Sequence, residues 1–291
     1  MIVTVTCNPA IDKTISDDNT TYTIGGKGIN VSKALNNLNT KSLVTGFLGK
    51  DNKDLVLNDL DELKLKHKFV LVDGKVRTNT KRIIDNKLYE ENEDGPFVDE
   101  KALKKLKDYL HTYRNSTIVI SGSIPSNVDC HYYEELILDL KKYNYVILDC
   151  DRDHLKYGIE ALPNCIKPNR KEICDYFNIE YDEQLLIEKC KELIDKGIEL
   201  IVVSLEDEGS LFINKDNVYK VNKIECDYVS SLCAGDSMVA GLAYGRQNDL
   251  DIIETIKLSV ACASASVQTV GVFDDINEVE RFKQLVEIEI I

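Results

Sequence analysis

The run Ser230-Ser231-Leu232-Cys233-Ala234-Gly235-Asp236-Ser237-Met238-Val239-Ala240-Gly241 sets small residues directly ahead of a helical stretch whose first turn carries an aspartate. Free N–H groups at a helix start make an anion site, and small side chains let a phosphate approach them closely. An aspartate beside such a site suits proton removal from a hydroxyl that attacks phosphorus. An aspartate there also serves simply to complement the helix dipole. Residue type and position alone leave both roles open for Asp236.

A second cluster, Gly25-Gly26-Lys27-Gly28, precedes Val31, Ala34, Leu35 and Leu38 at i, i+3, i+4 and i+7. That is the buried face of a helix beginning straight after a glycine turn. Glycine permits positive φ and close ligand approach, and Lys27 adds charge at the helix start. The spacing is not that of a dinucleotide fingerprint. Gly46-Phe47-Leu48-Gly49-Lys50-Asp51 is not a P-loop either, having the wrong spacing and no Ser/Thr.

In this order and separation, the two stretches resemble the two signatures of the PfkB (ribokinase-like) family of sugar kinases. Residues 25–32 match the first. Cys233-Ala234-Gly235-Asp236 matches the Gly-Ala-Gly-Asp core of the second, with cysteine in place of the first glycine. The resemblance covers essentially the whole chain. It implies a ribokinase-like α/β fold, in which a mostly parallel central sheet flanked by helices carries a small β-sheet lid. It also implies phosphorylation of a sugar or sugar phosphate by ATP with Mg²⁺. Asp236 would then be the catalytic base, and Cys233, Ala234 and Gly235 the anion hole.

The rest of the chain has the matching rhythm. Ile2–Thr6, 42–47, Thr117–Ser121, 145–148 and Leu200–Ser204 read as buried strands, and 102–113, 132–142 and 184–196 as helices. The C-terminal third reads as helices over 236–245, 252–270 and 278–285. Segments 11–24 and 67–98 read as short antiparallel strands of the lid. No linker or repeat divides residues 1–291, so a single domain plus lid is expected.

Composition narrows the function classes. The 291 residues are 43% hydrophobic and 30% charged, the balance of an ordinary globular protein. A net charge of −14 disfavours nonspecific binding to nucleic acid or anionic membranes, so an anionic substrate needs a locally positive site. Nine scattered cysteines without Cys-x-x-Cys or paired-histidine spacing suit a reducing cytoplasm rather than disulfides or zinc. The N-terminal run is too short and polar for a signal peptide, and no apolar run is long enough to span a bilayer. The four histidines, 67, 111, 131 and 154, sit in polar surroundings and read as surface residues.

Within the family, Cys7-Asn8-Pro9-Ala10-Ile11-Asp12 resembles the opening of the 1-phosphofructokinase and tagatose-6-phosphate kinase branch, which implies that Asp12 binds sugar hydroxyls. On its own the stretch is an Asn-Pro turn followed by an exposed aspartate. In Val76-Arg77-Thr78-Asn79-Thr80-Lys81, strand alternation puts Arg77, Asn79 and Lys81 on one face. Two cations and an amide on one face suit a phosphate or polyol, or else a solvated lid strand. The branch has a similar strand, which implies that Arg77, Asn79, Lys81 and Lys27 bind the substrate, with Gly26 and Asn30 beside them. Ser121-Gly122-Ser123-Ile124-Pro125 resembles the branch's loop facing the sugar.

On the nucleotide side, Asn169 and Glu172 resemble the family's Asn-x-x-Glu motif, which holds Mg²⁺ through water. The same spacing is that of a helix capping box. Ser204, Glu206 and Gly209, with Ala261, Ala263 and Ala265 in a helix of small residues, lie where the resemblance implies nucleotide binding. Three positions depart from the family pattern. Glu206 stands where a glycine is usual and would repel phosphates unless turned away or met by Mg²⁺. Asp149-Cys150-Asp151 replaces an Asp-Thr/Ser type of turn. Cys233 matters if its backbone needs positive φ, and its place at a helix start predicts a lowered thiol pKa. Exposed lid edges suggest a homodimer paired through them.

Overall fold

In this computed structural model, which describes residues 1–16, 19–84 and 87–291, strands and helices alternate for most of the chain. β1 (Ile2–Thr6) leads through β2 (Ala10–Ser16) and β3 (Asn19–Gly25) into α1 (Lys27–Asn37). Next come β4 (Ser42–Gly49), α2 (Lys53–Glu62), β5 (Lys66–Val72), β6 (Arg77–Ile84), β7 (Lys87–Asn92) and α3 (Glu100–Leu110). The middle holds β8 (Thr117–Ser121), α4 (Tyr132–Leu140), β9 (Tyr145–Asp149), α5 (Arg152–Glu160), β10 (Cys165–Ile166), α6 (Arg170–Phe177), α7 (Glu183–Lys196) and β11 (Leu200–Ser204). The chain closes with β12 (Ser210–Ile213), β13 (Val218–Val221), α8 (Ala234–Gln247), α9 (Ile252–Val267), α10 (Ile276–Leu285) and β14 (Ile288–Ile290).

The large sheet has the order β14-β13-β12-β11-β10-β9-β8-β1-β4-β5. Strands β11 to β5 in that order are parallel, and β12, β13 and β14 add an antiparallel edge. β1 and β8 are buried along their whole length, as parallel strands covered on both faces must be. Their side chains alternate between two cores. Val3, Val5, Ile118 and Ile120 pack against α3 and α4, while Ile2 and Val119 pack against α1, α8 and α9. Chain order reverses at β1, which lies between β4 and β8, so the crevice for a ligand falls at the carboxyl ends of these strands.

The mostly parallel sheet, the helices on both faces and the separate small sheet all match the sequence reading. The small sheet has the order β3-β2-β6-β7. Two details of that reading are corrected. Residues 67–72 belong to β5 at the edge of the large sheet, so the second lid segment is confined to β6 and β7. The central lid pair, β2 with β6, is parallel; only its outer pairs are antiparallel. The cause is connectivity. β2 continues from β1 and β6 from β5, two parallel strands, so both enter the lid running the same way. β12, β13 and β14 were not foreseen.

Candidate active site

The carboxyl ends of β1, β8, β9 and β10 meet the N-termini of α1 and α8. Cys233 caps α8 at φ −110°, and the first intrahelical bond runs from Ser237 N to Cys233 O at 2.9 Å. The N–H groups of Gly235 and Asp236 precede it and point out of the helix start. Because φ at Cys233 is negative, this backbone does not need glycine, and the departure from Gly-Ala-Gly-Asp carries no strain. The lowered thiol pKa is also corrected. Burial, with Asp236 adding to it, pushes the Cys233 thiol up to about 12. Helix-start N–H groups do not offset desolvation of a side chain packed beneath them.

Asp236 is 5% exposed and accepts a hydrogen bond from Asn30 Nδ2 at 2.8 Å. Burial, reinforced by Asp149, pushes its carboxyl up to about 7 against the opposing pull of Lys27 and Asn30. Asp149, at the end of β9, accepts from Lys27 Nζ at 3.1 Å and lies 3.3 Å from Lys167 Nζ, both through Oδ1. Burial opposes its charge, but Lys167 and Lys27 overcome that and hold its carboxyl below the usual range. Its Oδ2 is buried and has no hydrogen-bond partner among the described residues. Lys27 itself is held above the ordinary ammonium value, since Asp149, Asp236 and Glu172 outweigh the cost of burial. Two lysines and two aspartates thus share one corner, in which Asp149, Asp236 and Lys167 are buried and Lys27 is partly open to solvent.

Gly26 sets up this corner. It is the N-cap of α1 at φ 129°, and a β-carbon there would lie 2.9 Å from Thr6 Cγ2. Only glycine turns the chain sharply enough to bring Lys27 and Asn30 in from the lid side. Lys167 was not singled out from the sequence. It follows β10 directly and is 5% exposed, and a β-carbon on Gly235 would sit 3.3 Å from its Nζ. An ammonium therefore rests against the anion hole. Lysine at a strand end before Pro168-Asn169 was the available signal.

The lid brings its own residues to the same corner. Register pairs Ala10 with Arg77, Asp12 with Asn79 and Thr14 with Lys81. Asn79 Nδ2 donates to Asp12 Oδ1 at 2.9 Å, and Arg77 Nε donates to Asn8 O at 3.2 Å, tying the lid to the end of β1. Burial draws the Arg77 pKa down, with Asp12 and Asp151 opposing; a guanidinium keeps its charge regardless. A β-carbon on Gly25 would run into the Asp12 carboxylate, so this lid face abuts the turn that starts α1. A β-carbon on Gly122, in the turn after β8, would lie 3.7 Å from Lys27 Cβ.

Beyond α8 lies a cleft of about 470 Å³ lined by Ser204, Glu206 and Gly209 on one side and by Gly235 and α9 on the other. Ala261 and Ala265 are not in that lining. They face the core, whereas Ala263, the third alanine of that reading, lines the cleft with Val260, Ser264 and Val267 on the adjoining face of α9. Glu206 is turned towards Arg170, with 3.7 Å between its Oε2 and Nη2. It has φ 56°, the left-handed region that favours glycine. Asn169 and Glu172 form a full capping box at the start of α6, each side chain bonded to the other's backbone N–H at 2.8 Å. Among the histidines, His154 is half-buried, and burial lowers its pKa.

The sequence matches the pfkB family carbohydrate kinases over residues 2–278. It is 32% identical over 280 residues to a 1-phosphofructokinase of Borreliella burgdorferi, with 91% of each chain covered. It is also 32% identical over 293 residues to a 1-phosphofructokinase of Escherichia coli, covering 94% of this chain and 93% of that one. Among solved structures it superimposes on phosphofructokinase-2 from Escherichia coli, crystallised with potassium, at a TM-score of 0.90, 22% identity and 98% coverage of each chain. A phosphate-ready helix start with an aspartate, a cationic corner and two such full-length relatives lead to one assignment: the chain belongs to the pfkB family of carbohydrate kinases and is a sugar-phosphate kinase.

Proposed function

We propose that the protein is an ATP-dependent 1-phosphofructokinase that transfers the γ-phosphoryl group to the C6 hydroxyl of fructose 1-phosphate. The observation that carries this is the corner where Asp236, Lys27 and Lys167 meet the start of α8 under a lid face bearing Arg77 and Lys81. Both 1-phosphofructokinase relatives align over nearly their whole length, which supports this substrate.

Arg77 and Lys81, with Lys27, bind the phosphate already on the sugar, and the Asp12–Asn79 pair receives its hydroxyls. Asn30 fixes the rotamer of Asp236, whose free oxygen takes the proton of the attacking hydroxyl. With a carboxyl poised near 7, Asp236 is a stronger base than an exposed aspartate, and kcat/KM falls as pH drops through that value. N–H groups of Gly235 and Asp236, with Lys167, stabilise charge on the phosphoryl oxygens. Ser204 and Gly209 bind the nucleotide, with the α9 face of Val260 and Ala263 beneath the base. The small sheet is the lid of this single catalytic unit and excludes water.

Asn169 and Glu172 fit magnesium. Their donors are oxygens, the capping box presents them rigidly, and Glu172 lies near enough to Lys27 to raise its pKa. Magnesium held there through water would neutralise polyphosphate charge.

The lid's outer strands leave edges for a second copy, which supports a homodimer. A related phosphofructokinase-2 has been solved as a tetrameric inhibited form. Sedimentation should give twice the monomer mass; a monomer at micromolar concentration removes the dimer. Nine free thiols support a cytoplasmic location. Among the described residues, no helix is long and apolar enough to cross a membrane.

The deciding assay is ADP release with MgATP against fructose 1-phosphate, tagatose 6-phosphate and fructose 6-phosphate. Fructose 1-phosphate should give the highest kcat/KM. A preference for either other sugar phosphate overturns the substrate, and silence on all three overturns the reading.

A further inference from the structure

The turn after β11 holds three consecutive carboxylates, Glu206, Asp207 and Glu208, and two of them line the cleft assigned to the nucleotide. Left alone, they would repel a polyphosphate. Two cations meet them. Arg170, one residue after the Asn169 cap, donates from Nη1 to Glu208 Oε1 at 2.6 Å and from Nη2 to Leu205 O at 3.1 Å. Its Nη2 also lies 3.7 Å from Glu206 Oε2, and its guanidinium stacks over the Tyr181 ring at 4.8 Å. Lys223 forms an ion pair with Asp207. One negative charge is left unbalanced.

Arg170 is placed for more than an ordinary surface bridge. It joins the start of α6, with its cap Asn169 and Glu172, to the turn carrying Glu206, beside the backbone link from Ser204 N to Pro168 O at 3.1 Å. Its fork is occupied on both nitrogens and its face is stacked, so little side-chain entropy remains to be lost when a ligand arrives. Glu206 is 71% exposed at the side chain and held in a left-handed backbone, so its direction depends on what anchors it.

We propose that Arg170 is a positioning residue for the nucleotide: it neutralises the acidic turn and draws Glu206 and Glu208 away from the phosphate path. This rests on the reading of the cleft as the ATP site. Arg170 does not touch the reacting atoms, so its effect falls on nucleotide binding rather than on phosphoryl transfer.

The test is steady-state kinetics with MgATP and fructose 1-phosphate at low salt and at high salt, together with calorimetric ATP binding. Arg170→Met should raise the nucleotide KM roughly fivefold at low salt, less at high salt, with smaller changes in kcat and in the KM for the sugar phosphate. Adding Glu206→Gln and Glu208→Gln to that variant should restore the nucleotide KM. A bridge that merely staples the turn behaves oppositely. The two glutamine substitutions alone would then raise the KM, and the triple variant would stay impaired. That pattern, or an unchanged KM in Arg170→Met, overturns the proposal while ATP use stands. Wild-type protein that neither binds nor consumes ATP removes the nucleotide reading and this role with it.

Discussion

Asp236 concentrates the trade between stability and activity in one side chain. A buried carboxyl with Asp149 as neighbour is raised from 3.8 to about 7, so the folded state holds its proton more tightly than the unfolded chain. The stabilisation from that proton is complete below the unfolded value. It is lost as pH rises and the unfolded chain ionises first, and the loss levels off above about 7. Asp236→Asn removes the titration. Its stability advantage over wild type should be absent below about pH 4, grow through neutrality, and reach on the order of a few kcal/mol above pH 7. Thermal melts across pH check this; a constant difference would contradict the raised pKa. Sequence made Asp236 and Lys27 legible because helix-start chemistry is local. Asp149 was legible only as part of a departing turn near the active site, and Lys167 not at all, because only sheet order brings the ends of β9 and β10 to α1 and α8. Cys233 shows the opposite limit: its helix-start position pointed to a low thiol pKa, and its burial reversed that.

At the scale of elements, α8 and α9 hold the anion hole to the sheet. A β-carbon on Gly241 would lie 2.5 Å from Ser259 Cα, so the helices cross at backbone contact. Helix propensity favours alanine over glycine by about 1 kcal/mol, but overpacking against backbone costs typically 1–3 kcal/mol. Gly241→Ala should therefore lower the urea midpoint, by an amount equivalent to up to about 2 kcal/mol. A raised midpoint would show the pair to be loosely packed. The boundaries of β1, β8 and β11 were readable to the residue, since each is a short run dominated by β-branched residues, and in β8 and β11 polar residues bound its apolar stretch. The small-residue run of α9 was readable as a helix facing the nucleotide, but not its rotation. Without apolar contrast around the helix, nothing in the sequence says which alanines face the cleft.

The whole molecule is acidic, with a net charge of −14, yet it gathers Lys27, Lys167, Arg77 and Lys81 at one crevice. That crevice lies where strand order reverses at β1, the usual place for a ligand in an open α/β sheet. The fold class was legible because strands and helices alternate with the right lengths. The lid's parallel centre was not, because pairing between segments so far apart depends on which main-sheet strands they extend. The account as a whole stands on Asp236 acting as the base at this crevice. The most direct test is the turnover of Asp236→Asn with saturating MgATP and fructose 1-phosphate, in protein shown to be folded by its melt. The account predicts a loss of roughly 10²–10⁴-fold in kcat, as for removal of a general base; a kcat within a few-fold of wild type would contradict it.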